Sequence, residues 1–113
     1  MYQVLEELNK TSGITGSMIV GKDGIVIAAD LDTSLEEEAV GALAASITSN
    51  IQKSMDRLQQ SPLAQVTIEA NSGKLFFSDA EIGLLVVTAE SDVNIGLIRL
   101  EIKNAINKIN VSK

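Results

Sequence analysis

Apolar and polar positions recur along this chain with two periods, and the switch between them marks out its helices and strands. Val4, Leu5 and Leu8 share one side of a short helix predicted over residues 2–11. Within it Glu6 stands four residues ahead of Lys10, and Thr11-Ser12-Gly13 ends it. Ile14–Val20 and Ile25–Ala29 are β-rich runs flanking Gly21-Lys22-Asp23-Gly24. Two such runs joined through Asp-Gly predict a hairpin, because the turn needs positive φ that glycine adopts without strain. Asp30-Leu31-Asp32-Thr33-Ser34 is a polar connector offering Thr33 or Ser34 as helix N-cap. Glu36-Glu37-Glu38 then fall in a first turn whose dipole their charge complements. The helix is predicted to run to about Gln60 and to stop before Ser61-Pro62, since proline disfavours α geometry in the residue before it.

Three further strands follow. Ala64–Ala70 alternates apolar and polar, Asn71-Ser72-Gly73 turns the chain into Lys74–Ser78, and Asp79-Ala80-Glu81 turns it again into Ile82–Thr88. That last strand is apolar on both faces apart from Gly83, which predicts a central place covered on both sides. Ser91-Asp92 is read as the cap of a final helix over 93–110. Its apolar side is Ile95, Ile98, Ile102, Ile106 and Ile109, with Lys103, Lys108 and Lys113 toward its C-terminal end. The order α-β-β-α-β-β-β-α predicts an α/β sandwich with a five-stranded sheet, antiparallel where hairpins join neighbours.

The middle helix, 35–60, carries two stripes. Val40, Leu43, Ile47, Ile51, Met55 and Leu58 advance by three or four residues and are read as the face packed on the sheet. Gly41, Ala42, Ala45, Thr48 and Ser49 form a second stripe of small, uncharged residues, continued by Gln52. A solvated helix face would carry Lys and Glu there, and Gly41 costs about 1 kcal/mol against alanine in a helix interior. Close approach of another backbone would rationalise it, either a second copy of this chain or one of the chain's own terminal helices. Strand 64–70 offers Gln65, Thr67 and Glu69 at a semi-exposed edge, suited either to pairing with its copy or to protection against such pairing. These nine residues are the candidate dimer interface.

Composition narrows the chemistry. The 113 residues are the size of one domain, 1–113, and 45% are hydrophobic, enough for a core without disulfides. There is no cysteine and no histidine, so thiol chemistry, the usual zinc and haem ligands and triad catalysis are excluded. Nine basic against fifteen acidic residues leave a net charge of −6, which disfavours nucleic acid as a partner. Apolar runs such as Leu84–Val87 are far short of the ~20 residues of a membrane span, and the acidic N-terminus does not resemble a signal peptide, so a soluble cytoplasmic protein without membrane insertion is expected. Gly13, Gly16, Gly21 and Gly24 bracket strands and lack a following Gly-Lys-Ser/Thr, so no phosphate loop is read. Asp23, Asp30 and Asp32 are assigned to turns and caps, not to a cation. The hydroxyls of Ser12 and Ser17 have no histidine to activate them, and Glu36-Glu37-Glu38 point to different sides of their helix. Arg57 and Arg99, the two arginines, could reach a partner's nucleotide, but surface ion pairing is the ordinary use. No catalytic, cofactor or metal site is expected.

Taken together, the opening helix, the stretch Gly16-Ser17-Met18-Ile19-Val20-Gly21-Lys22-Asp23-Gly24-Ile25-Val26-Ile27-Ala28, the long helix rich in small residues and the closing Val93-Asn94-Ile95-Gly96-Leu97-Ile98-Arg99 resemble the roadblock family. That family is named after dynein light chains and also contains bacterial and archaeal regulators of Ras-like GTPases. The resemblance spans essentially the whole chain. It implies sheet order 2-1-5-4-3, with the long helix on one face and the two terminal helices on the other. It further implies a homodimer joined through the long helix and the third strand, and a small Ras-like GTPase as partner, regulated by reshaping its switch regions instead of by an inserted residue. A non-enzymatic binding module is therefore expected. The alternatives are a structural adaptor subunit, as in dynein light-chain assemblies, and a small-molecule sensor with a pocket between sheet and helices, as in profilin- and PAS-like architectures.

Overall fold

A computed structural model describes residues 1–60 and 62–112, with the side chain of Ser112 left aside. The elements run in the order α1 (Tyr2–Leu8), β1 (Ile14–Val20), β2 (Val26–Asp30), α2 (Glu37–Arg57), β3 (Gln65–Ala70), β4 (Gly73–Ala80), β5 (Gly83–Ala89) and α3 (Ile95–Ser112). All neighbouring strands are antiparallel, and the sheet order is β2-β1-β5-β4-β3, as the resemblance implied. Ser61, the predicted stop ahead of Pro62, and Lys113 lie outside the described residues.

Every residue of β5 is buried, as its unbroken apolar run predicts for a strand covered on both faces. On one face α1 and α3 pack over Ile19, Phe76, Leu85 and Val87, with Leu5 and Leu8 from α1 and Ile98, Ile102, Ala105 and Ile109 from α3. Ile95 and Ile106 are only partly buried at the margin of that layer. On the other face α2 covers Met18, Val20, Phe77 and Val86, but Ala44 is its single apolar side chain fully buried there. The layers are unequal, with twelve buried apolar residues on the first face against five on the second.

A polar cluster fixes α1 to the sheet. Asn9 Nδ2 donates to the Asp30 carbonyl at 2.8 Å and to Asp30 Oδ2 at 3.0 Å, while Asn9 Oδ1 accepts from the buried Ser17 hydroxyl at 2.7 Å. Ser17 therefore meets the requirement that a buried hydroxyl be paired. The expected Glu6–Lys10 pair does not form. Glu7 instead takes Lys108 of α3 at 2.8 Å, which ties the two terminal helices together.

Both predicted helix caps are displaced. Glu36 occupies the α2 N-cap without a side-chain bond, because the connector is organised one step earlier, where Asp32 Oδ1 accepts from Ser34 N at 3.0 Å. In α3 the cap is Asn94, whose Oδ1 accepts from Leu97 N at 3.0 Å, instead of Ser91-Asp92. Helix α2 also ends earlier than predicted, at Arg57. Gln59 then turns left-handed at φ 59° and the chain leaves the helix axis before Pro62.

The hydrogen bond and charge of Lys108 hold the exposed Glu7 carboxyl below its ordinary value. A depressed folded pKa means that the link contributes above the unfolded pKa and is lost as pH falls through the folded one. In Lys108→Ala the Glu7 titration, followed by NMR of its side-chain carboxyl, is expected to rise toward the ordinary glutamate value.

Candidate interaction surface on the long helix

Helix α2 meets the sheet along Gly41 and Ala44, both buried, with Val40 and Ile47 packed beside them, so neither predicted stripe forms the contact as a whole. A Cβ at Gly41 would lie 3.1 Å from the Gly24 carbonyl oxygen and 3.3 Å from Val20 Cγ1. The helix backbone thus comes down directly onto the β1–β2 turn, where Gly24 itself has φ +92°. Gly41 belongs to the chain's own contact between helix and β1–β2 turn. The physical reason is that the smallest residue of a helix marks where the helix can approach most closely, and here the chain's own turn fills that place.

This seating rolls the helix about its axis. Val40 and Ile47 still pack on the second core cluster, but Leu43 is 52% exposed and Leu58 67% exposed. Ile51 and Met55 are half-buried and join neither cluster. The stripe read as core is thereby split, with Val40 and Ile47 half-buried against the sheet and Leu43 and Leu58 open. Ala39, Ala42, Leu43, Ser46, Ser49 and Asn50 all face solvent, within a stretch, residues 39–52, that contains no charged side chain. An exposed helix face of that length with no Lys, Arg, Asp or Glu is unusual for a surface in water.

The remaining candidates separate. Ala42 and Ser49 lie on this exposed face. Ala45, Thr48 and Gln52 are half-buried and line a cavity between α2 and the sheet, which Ser49 and Gln65 also border. Gln52 Oε1 accepts from Leu63 N at 3.1 Å, pinning the loop that leads into β3. On β3, Val66 and Ile68 turn toward the α2 layer, so the alternating Gln65, Thr67 and Glu69 turn toward the α3 side. Gln65 Nε2 donates to Ser78 Oγ at 2.9 Å, and Arg99 reaches from α3 to within 3.4 Å of Thr67 Oγ1. Arg99 is thus engaged with its own sheet, while Arg57 stands exposed in the last turn of α2. What the side chains of β3 do not provide, its backbone does: β3 is an outer strand with a regular six-residue register to β4. Leu43 and Leu58 were missed as surface residues. The uncharged run 39–52 was the signal that could have found Leu43; Leu58 lies beyond it, after Asp56 and Arg57.

Local electrostatics gather on another side of the molecule. Tyr2 lies beside Asp30, Glu6 and Glu37, whose negative charge, Asp30 first, raises its phenol above the usual value. Asp32 is lowered by its hydrogen bonds from Ser34, and Asp23 Oδ1 accepts from Ile25 N, so both act in turns as expected. Among the described residues no three acidic side chains converge to hold a metal ion, and no helix is long and apolar enough to cross a membrane.

The Roadblock/LC7 domain model matches residues 1–89 of this chain. This chain belongs to the Roadblock/LC7 family. A full-length likeness extends to the uncharacterized protein MJ0310 of Methanocaldococcus jannaschii, 46% identical over 107 residues that span 95% of this chain and 94% of that protein. Among solved structures, the Roadblock/LC7 domain from Streptomyces avermitilis superimposes with a TM-score of 0.91 at 22% identity, covering 99% of this chain and 96% of that one. Myxococcus xanthus MglB does so with a TM-score of 0.90 at 19% identity, covering 96% and 90%. At such identities these structures establish the shared fold. For this Roadblock/LC7 chain, Gly41→Leu is expected to destabilise the fold by about 1–3 kcal/mol through overpacking against Gly24 and Val20. Ala42→Leu, one residue along on the open face, should stay within about 0.5 kcal/mol. Urea unfolding of both variants at matched low protein concentration checks the contrast.

Proposed function

We propose that residues 1–113 act as one non-enzymatic binding domain, a cytoplasmic homodimer that regulates or scaffolds a Ras-like small GTPase. The observation that carries the self-association is the uncharged outer face of α2, with Leu43 at its centre, beside the unpaired edge of β3. Two copies meeting there would remove Leu43 and Ala42 from water and give the backbone of β3 a partner strand. The interface residues proposed are Ala42, Leu43, Ser46 and Ser49 on α2, together with the β3 backbone at Gln65, Thr67 and Glu69. The GTPase assignment rests on membership of a family that includes regulators of such proteins. The lack of cysteine and histidine supports a regulatory contribution in place of a catalytic one.

The expected oligomer is a dimer by sedimentation at micromolar concentration. Leu43→Glu, which sets a carboxylate at the centre of the contact in both copies, should weaken association by roughly 100-fold while leaving the circular dichroism spectrum intact. A wild-type monomer would sink the dimer.

Candidate small GTPases, loaded with GTP or GDP, are expected to bind with a nucleotide-state preference readable by titration calorimetry and by the hydrolysis rate. Equal binding in both states would point instead to a structural adaptor.

A further inference from the structure

The whole net charge of −6 is carried by one segment of the chain. Residues 23–52 contain Asp23, Asp30, Asp32, Glu36, Glu37 and Glu38 and no lysine or arginine, whereas the rest of the chain has nine acidic and nine basic residues. The fold sets these charges along the β2 edge of the sheet. Strand β2 contributes Asp30, the connector Asp32, and the first turn of α2 Glu37 and Glu38. Glu6 of α1 joins them, since Asp30, Glu6 and Glu37 all bear on the Tyr2 phenol. Five large apolar side chains stand exposed on the same segments: Met1, Tyr2, Ile25, Ile27 and Leu35. Ile25 is 68% exposed and Ile27 46%, at the strand that ends the sheet on this side. Single exposed apolar residues are ordinary, but several set along one sheet edge mark an interaction surface.

The geometry limits what can cover this edge. Strand addition is disfavoured, because β2 has only five residues and bulges opposite Ile19 and Val20. A partner must therefore dock through its side chains, as a helix does. None of the six carboxylates of residues 23–52 forms an ion pair among the described residues. Nor do three acidic side chains converge among those residues to hold a metal ion, which favours an extended contact over a point cation. A helix rich in lysine and arginine supplies complementary charge over that length of surface. Its aliphatic residues would lie against Ile25, Ile27 and Tyr2.

We propose that the β2 edge, with the first turn of α2, is a docking surface for a basic amphipathic helix of a partner protein. This surface lies at the opposite outer strand from β3, so a monomeric wild type would leave it standing. The test titrates the full chain with a helical peptide of leucine and lysine, ~14 residues or about four turns long, followed by amide-resolved NMR. Saturable shifts are expected at residues 1–6 and 23–38, with a Kd of roughly 10–100 µM at low salt. Raising the ionic strength to about 0.3 M should weaken binding by at least about fivefold. The variants Ile25→Ser/Ile27→Ser and Glu36→Gln/Glu37→Gln/Glu38→Gln, each folded by circular dichroism, should weaken it by at least about fivefold at low salt. A matched triple variant of the same net charge, Glu90→Gln/Asp92→Asn/Glu101→Gln, should bind as the wild type does. A counterpart peptide with glutamate in place of lysine should give no saturable shift. Equal loss in both triple variants, undiminished binding by the isoleucine variant, or shifts centred on other residues would overturn the proposal. So would salt-sensitive self-association that the Glu36–Glu38 variant abolishes, which would assign the surface to a second copy.

Discussion

Strand β5 has no face to give to water. All of Gly83–Ala89 is buried, so the sheet can exist only if both of its surfaces are covered by something apolar. The terminal helices meet that demand on one side with leucines and isoleucines spaced to interlock with Ile19, Phe76, Leu85 and Val87. On the other side a single helix must do the same work, and its point of closest contact is glycine and alanine. Close seating at Gly41 brings α2 down onto the β1–β2 turn but leaves little side-chain volume to spread over β3 and β4. The open apolar stripe, the lining of the cavity and the half-covered Val66, Ile68 and Leu75 all follow from that one shortage.

The polar side of the same economy is the cluster of Asn9, Ser17 and Asp30. A serine buried in the middle of β1 would be a liability if α1 did not end on an asparagine able to accept from it and donate to the neighbouring strand. The short α1 is too brief to be stable by itself. Leu5 and Leu8 below and Glu7–Lys108 at its side attach it to the rest, which makes α1 part of the core layer and not a loose appendage.

Much of this was readable from periodicity alone: the type and order of the elements, the central place of β5 and the apolar side of α3 all follow from spacing in the chain. Strand order was not, because the hairpin pattern says which neighbours in sequence pair but not where β5 inserts; that came from the family resemblance. The roll of α2 was misread because Leu43 looks like core by spacing, and only the contact of Gly41 with Gly24 fixes the helix about its axis. Capping was misread where Ser91, Asp92 and Asn94 competed within one turn. The cavity could not be seen at all, since Lys22, Thr48 and Asp79 come together only when three distant segments do.

The two edges of the sheet differ in one further respect. Strand β3 presents a regular ladder, whereas β2 is shorter and slips register opposite Ile19 and Val20, leaving Ile27 unmatched against β1. A bulged strand twists away from any newcomer. A particle with two competent edges can add copies without limit and grow into a fibre. With one competent edge and two-fold symmetry, assembly along the sheet is complete after a single addition. If copies pair through β3 as proposed, the irregularity in β2 would act as a terminator, setting a finite size for the extended sheet.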